Sequence, residues 1–287
     1  FIAGVGVRPV GEIIGALAAI TDGRSLHKRL GGADEKGDEL ARLAATVNEM
    51  IGRLETSFGG LRRFTADASH ELKTPLTVLR ANIERAMTAP RGSNEQLAHL
   101  EEALHEVARM TDLVNGLLTL ARADEGRFDL VRDVVLLDAV LRDVAETAQI
   151  LGEPAGLTVT VAECQPVTVE GDATRLRQLL LNLVTNAIKF TPPGGRVTLL
   201  LAEDEGWAEV TVRDTGIGIA AADLPFIFDR FWRADRSRSR ASGRSGTGLG
   251  LAISQYIAHA HGGTLTARSR LTRGTTFTLR LPGAVRR

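Results

Sequence analysis

Phe64-Thr-Ala-Asp-Ala-Ser-His-Glu-Leu-Lys-Thr-Pro-Leu76 lies inside an apolar stripe that begins at Leu40. Leu40, Leu43, Val47, Met50 and Leu54 step by three and four residues. Phe58 and Leu61 extend the stripe less regularly, and Phe64, Ala68, Leu72, Leu76, Leu79 and Ile83 continue it. That period is one face of an α-helix. No proline intervenes before Pro75, so one helix is predicted from about Asp38 to about Met87. Helices of that length belong to coiled coils. Phe64, Ala68 and Leu72 step four and four, a stutter that locally unwinds a coiled coil. It sits immediately before His70. With Leu72, Leu76, Leu79 and Ile83 as the buried face, His70 points roughly 150° away, at about 100° per residue. Thr74 lies roughly 40° from His70 by the same count, and Glu71 flanks it. Pro75 removes one backbone hydrogen bond and can kink the helix. A lone histidine so placed is usually an ordinary surface residue, so its meaning depends on the rest of the chain.

Outward from this helix, Ala89–Asn94 contains Pro90 and Gly92 and reads as a hairpin turn. Leu97, Leu100, Leu104, Val107, Thr111, Val114, Leu118 and Ala121 then alternate three and four, a second long helix. Two such helices form an antiparallel pair, and two copies of the pair would close a four-helix bundle. Leu76, Leu79, Leu104 and Val114 are expected in its core. Upstream, Val10, Ile13, Leu17 and Ile20 mark a shorter helix before a connector with Gly23, Gly31, Gly32 and Gly37. Phe1–Val7 is apolar and Arg8-Pro9 follows, as expected for the inner end of a transmembrane helix.

After Asp124-Glu125-Gly126 the pattern changes. Leu157–Val161, Pro166–Val169, Arg196–Leu201 and Trp207–Val212 read as strands, as do Thr264–Arg268 and Thr275–Leu281. Asp172–Lys189 and Leu249–His259 read as helices. Mostly antiparallel strands with interspersed helices predict an α+β two-layer sandwich.

The 287 residues suit two or three domains. Hydrophobic residues at 44% and charged residues at 24% exclude wholesale disorder. Lys+Arg 35 balances Asp+Glu 35, which argues against direct nucleic-acid binding. The single cysteine, Cys164, excludes a disulfide framework and a cysteine-rich zinc site.

Four strings in the second half carry chemistry. In Asn182-Leu-Val-Thr-Asn-Ala-Ile-Lys-Phe190, Asn182, Asn186 and Lys189 share one helix face. An amide oxygen can ligate Mg²⁺ and an ammonium can pair with phosphate. Asp214-Thr-Gly-Ile-Gly-Ile219 follows a strand, and its glycines permit close backbone approach. Phe228-Asp-Arg-Phe-Trp-Arg233 leads into an Arg-, Ser- and Gly-rich stretch; six arginines and two aspartates lie between Phe228 and Gly246. That local excess suits a flap over an anion. Gly246-Thr-Gly-Leu-Gly-Leu251 opens a helix, whose first N–H groups favour phosphate. Each string alone is an ordinary loop or helix end more often than a site.

Together with Ser69-His-Glu-Leu-Lys-Thr-Pro-Leu76, in this order, they resemble the boxes of bacterial transmembrane sensor histidine kinases of two-component systems. The resemblance covers roughly Arg62 to Pro282. It implies the ATP-binding fold shared with gyrase, Hsp90 and MutL (the GHKL type) after a dimerisation and histidine-phosphotransfer hairpin. It further implies that His70 is the phosphoacceptor, with Glu71 beside it and Thr74 serving a phosphatase activity. Asn182 would support the γ-phosphate, Asn186 would ligate Mg²⁺, and Lys189 would contact phosphate. Phe190 would pack near the base and Asp214 would select adenine. Gly216, Gly218, Gly246, Thr247, Gly248, Leu249 and Gly250 would shape the ATP lid and its hinges, Phe228 and Phe231 would anchor the flap, and Arg230 and Arg233 would face the phosphates. Pro9 to about Thr56 resembles a HAMP signal-relay module. The expected domains are thus a transmembrane end at 1–8, relay at 9–60, phosphotransfer hairpin at 61–125 and catalytic ATP-binding domain at 126–287. The expected protein is the cytoplasmic portion of a homodimeric inner-membrane kinase that uses ATP and Mg²⁺ and phosphorylates a response regulator. A kinase-dead scaffold and a gyrase- or Hsp90-type clamp are the rivals; intact boxes oppose the first and the His70 box opposes the second.

Overall fold

The computed structural model describes residues 39–125, 129–234 and 246–284. The expected transmembrane end, the first relay helix with its connector, and most of the Arg-rich stretch lie outside them. The chain divides into two compact units between His70 and Glu71.

Helix α1 spans Glu39–Thr88, 50 residues, as the apolar period predicts. Pro75 lies within it without ending it. In the first unit Ile51 is fully buried. The second unit opens with the remainder of α1. A turn with Gly92 in the left-handed region leads to α2, Asn94–Asp124. Ser93 caps α2 by accepting from Gln96 N–H at 3.1 Å. Gln96 closes the hairpin: its Nε2 donates to the Ala86 carbonyl at 3.1 Å and its Oε1 accepts from Gly92 N–H at 2.9 Å.

The faces of the two hairpin helices that are buried in one chain are not the ones the apolar stripe suggests. Pro75, Asn82 and Ala86 are buried on α1, and Ala103, Leu113, Gly116, Leu120 and Ala123 on α2. Leu76, Leu104 and Val114, expected in a core, are 50%, 69% and 41% exposed, and Leu79 is half-buried. Each helix carries two faces about one residue apart. The buried face of α2 includes Leu113 and Leu120, with Gly116 against Leu249 and Ile253, while the leucine-rich stripe stays open in a single chain.

The α+β domain begins with two elements that periodicity did not reveal, β1 (Asp133–Leu136) and α3 (Leu137–Gly152). They join without a Gly, Pro or polar cap; Leu136 takes the N-cap position with no side-chain cap bond. The remaining elements are β2 (Thr158–Cys164), β3 (Thr168–Gly171), α4 (Ala173–Phe190), β4 (Arg196–Asp204), β5 (Trp207–Asp214), α5 (Gly250–Ala260), β6 (Thr264–Arg270) and β7 (Gly274–Pro282). β1 and β3 form a two-stranded sheet, and the main sheet has the order β2-β4-β5-β7-β6. All its pairs are antiparallel except β2 with β4. Burial alternates along β4 and β5, as on a sheet covered on one face. Val197, Leu199, Leu201, Val210 and Val212 meet Leu176, Leu179, Leu183 and Val184 of α4 in a fully buried core.

Asp172 caps α4, its Oδ1 accepting from Arg175 N–H at 3.1 Å. Buried His261, at the C-cap of α5, ties the two helices together. Its Nδ1 faces the Ile257 carbonyl at 2.7 Å and its Nε2 accepts from Asp172 N–H at 3.0 Å. That pair of partners requires a neutral ring with the proton on Nδ1. Burial holds its pKa below the ordinary value; the Ile257 bond and nearby Asp172 pull the other way. In the window between the lowered folded value and about 6.5, the unfolded chain binds more protons. Stability is therefore expected to fall as pH drops through that window, by at most about 1.4 kcal/mol per pH unit for one proton. Urea midpoints between pH 7.5 and 5.5 check this. His261→Gln, which cannot titrate, should show a shallower slope than wild type, and an equal slope would count against it.

Candidate functional site

The ends of α4, β5 and α5 bring most of the predicted residues together. Asp214 closes β5 and is 5% exposed. Its Oδ1 accepts two backbone N–H groups, from Gly216 at 2.8 Å and Thr275 at 3.1 Å. Oδ2 accepts none among the described residues. Burial pushes the Asp214 pKa up, and the two backbone N–H groups partly offset this. The loop after Asp214 returns to α4, where Ile217 N–H donates to the Phe190 carbonyl at 3.1 Å. Gly218 has φ +70°, and a Cβ there would sit 2.2 Å from the Arg270 carbonyl oxygen, so only glycine fits.

On α4, Asn182, Asn186 and Lys189 are half-buried. Asn182 Nδ2 donates to the Gly250 carbonyl at 3.2 Å and to Ser254 Oγ at 3.3 Å. The Asn186 amide makes no side-chain hydrogen bond among the described residues. Lys189 Nζ lies 5.0 Å from the centroid of the Phe190 ring. A Cβ on Gly246 would come within 2.6 Å of that Nζ, so the ammonium sits directly against the glycine string.

That string runs half-buried from Gly246 to Gly248, then passes through Leu249, 1% exposed, into α5 at Gly250. Thr247 Oγ1 accepts from Leu249 N–H at 3.4 Å. The N-cap of α5 makes no side-chain cap bond, which keeps its first N–H groups available to an anion. Gly248 has φ +70° and lies against the Phe231 backbone. Phe231 N–H donates to the Gly248 carbonyl at 2.9 Å, and Phe231 is itself at φ +60° and 5% exposed. Phe228 is half-buried, and nearby Ile227, unremarked in the sequence, is 2% exposed.

Arg230 departs from expectation. Rather than facing a phosphate site, its guanidinium grips Asp124 at the end of α2 through two bonds of 2.7 and 2.5 Å. A planar guanidinium matches a carboxylate in this paired way. Tyr256 O–H donates to the Ala123 carbonyl at 3.4 Å, and Gly116 lies against Leu249 and Ile253. The start of α5 therefore rests on α2. Arg233 is half-buried. His70 and Thr74 are exposed, and Glu71 is half-buried. Sequence reasoning missed Ser254, 0% exposed, whose only signal is a polar residue one turn after Gly250 in an apolar helix.

Among the described residues no cluster of three or more His, Cys, Asp or Glu side chains could hold a metal. The Asn186 amide oxygen fits a different arrangement, in which Mg²⁺ takes one protein oxygen and completes its shell with phosphates and water. Among the described residues no helix is long and apolar enough to cross a membrane.

Three family models tile this sequence. HAMP matches residues 1–56, the His Kinase A (phospho-acceptor) domain matches 60–126, and the Histidine kinase-, DNA gyrase B-, and HSP90-like ATPase matches 171–285. The matched segments and their order are those of sensor histidine kinases. It is 36% identical over 283 residues to the signal transduction histidine-protein kinase/phosphatase MprB of Mycolicibacterium vanbaalenii, covering 96% of this chain and 56% of that protein. The chain spans about half the length of the curated relatives it matches. Full-length ShkA, solved in complex with AMPPNP, aligns with a TM-score of 0.59 and 29% identity over 78% of this chain and 46% of that one. ThkA, solved in complex with the response regulator protein TrrA, shares the fold, with a TM-score of 0.63 and 23% identity over 86% of this chain and 68% of that one.

Proposed function

We propose that this chain transfers the γ-phosphoryl group of ATP to His70 and then to an aspartate of a response regulator. The observation that carries this reading is the Asp214 carboxylate. One oxygen is committed to two backbone N–H groups and the other accepts none among the described residues, suited to the amino group of adenine. Around it, Lys189 and the uncapped start of α5 supply positive potential for the phosphates. Asn186 would hold Mg²⁺, which neutralises phosphate charge when bound. A neutral His70 nitrogen attacks the γ-phosphorus in line; the P–N bond forms as the bond to ADP breaks. Glu71 orients the ring through its other nitrogen and takes the proton released. Catalysis is then mostly positioning and charge neutralisation. HAMP similarity supports an input arriving through α1 from a membrane-anchored sensor. The open leucine stripe on α1 and α2 supports a homodimer.

Incubation with γ-labelled ATP tests the reaction. Wild type should acquire acid-labile label and His70→Gln should acquire none; label retained by the variant would overturn the assignment. Thr74 follows His70 by four residues in helix α1, and its hydroxyl could position water for attack on the regulator's acyl phosphate. Thr74→Ala is expected to leave His70 labelling nearly intact. It should slow loss of phosphoaspartate from the regulator about tenfold, or roughly 1.4 kcal/mol in barrier. Equal losses in both time courses would remove the phosphatase role.

A further inference from the structure

Ser254 lies one turn into α5, fully buried, in contact with Asn182, which the family resemblance places by the γ-phosphate. Its Oγ–H donates to the Gly250 carbonyl at 2.8 Å. The hydroxyl hydrogen is thereby used, and the oxygen receives Asn182 Nδ2 at 3.3 Å. The same Nδ2 donates to the Gly250 carbonyl at 3.2 Å. The Asn182 amide thus meets two acceptors on one side. Its NH₂ end faces them, because an inverted amide would set Oδ1 against the Gly250 carbonyl oxygen, and the Ser254 hydroxyl could meet it only by giving up its own bond to that carbonyl. The orientation of Asn182 is therefore dictated by the pair Gly250 carbonyl and Ser254 hydroxyl, on a different helix and 68 and 72 residues away in sequence.

We propose that Ser254 is a positioning residue for phosphoryl transfer, locking the Asn182 amide so that its oxygen is the end presented to the reacting phosphate and its ordered water or metal. This rests on the reading of Asn182 as a phosphate-site residue. Ser254 touches neither nucleotide nor His70; it acts through Asn182. Without the hydroxyl, the NH₂ end keeps one acceptor of two, and the amide samples the inverted state more often. Losing one such hydrogen bond is typically felt as a roughly two- to tenfold change in a population.

The test is a double-variant cycle on the rate of His70 labelling at varied ATP, with thermal midpoints recorded. Ser254→Ala removes one atom from a packed site and should fold. It should lower the maximal labelling rate roughly three- to tenfold with KM for ATP nearly unchanged. Asn182→Ala should lower the rate further, and adding Ser254→Ala to it should cost nothing more, since the residue through which Ser254 acts is gone. Three results would overturn the role: an unchanged rate in Ser254→Ala, a loss borne by KM or tracking the thermal midpoint, or losses that multiply in the double variant. A wild-type chain that takes no label on His70 would overturn both the proposed reaction and this role, whereas wild-type labelling with multiplying losses overturns only the role of Ser254.

Discussion

Asp214→Asn is expected to weaken ATP binding by roughly five- to 150-fold, equivalent to about 1–3 kcal/mol, without unfolding the α+β domain. The two backbone N–H groups of Gly216 and Thr275 must be met by an oxygen, so the new amide is held with its oxygen in the place of Oδ1. Its NH₂ then occupies the place of Oδ2, where a donor on the base would find another donor. The expected loss is thus a mismatch, not merely a missing charge. Stability should move the other way or stay level. Burial raises the Asp214 pKa, so the ionised carboxylate costs stability at neutral pH, and a neutral amide removes that cost. Calorimetry with ATP and a thermal melt of the same sample read both quantities. Unchanged affinity would overturn the assignment of Asp214 to the base.

Replacing Leu76 and Leu104 together by Asp is expected to abolish dimerisation while leaving each chain folded. In one chain these side chains are 50% and 69% exposed, so a polar group there costs the isolated chain little. In a closed four-helix bundle both would be buried, and a buried leucine contributes about 1.5–3 kcal/mol. Four lost leucines with four desolvated carboxylates in their place should weaken the dimer by more than about 5 kcal/mol, over a thousandfold in Kd. Light scattering should report a monomer, and ATP affinity of the α+β domain should be close to that of wild type. A stable dimer in the double variant would overturn the bundle.

Local order was largely legible. The apolar period, stutter included, foretold one continuous helix α1 of 50 residues, and Asp172 marked the start of α4, because helix periodicity and N-caps are written in neighbouring residues. The strands from β4 onward followed their alternation for the same reason. β1 and α3 were not legible, since Leu136-Leu137 joins strand to helix without a breaker or a cap. The parallel pairing of β2 with β4 was equally hidden, because β3 and α4 intervene between them.

What the sequence by itself determined is the inventory: a long helix carrying His70 and Thr74, a hairpin, an α+β domain, and the acceptor, ammonium and glycine strings in their order. These follow from short-range rules of period, cap and turn. Only the tertiary structure decided which face of each helix a single chain buries, which oxygen of Asp214 is committed, and where Arg230 goes. It seated Arg230 on Asp124, 106 residues away, and it placed Ser254 and Gly250 on the Asn182 amide. Such choices belong to hydrogen bonds between distant segments. A side chain's partner there is set by which buried donor or acceptor would otherwise go unmet, and no spacing along the chain records that.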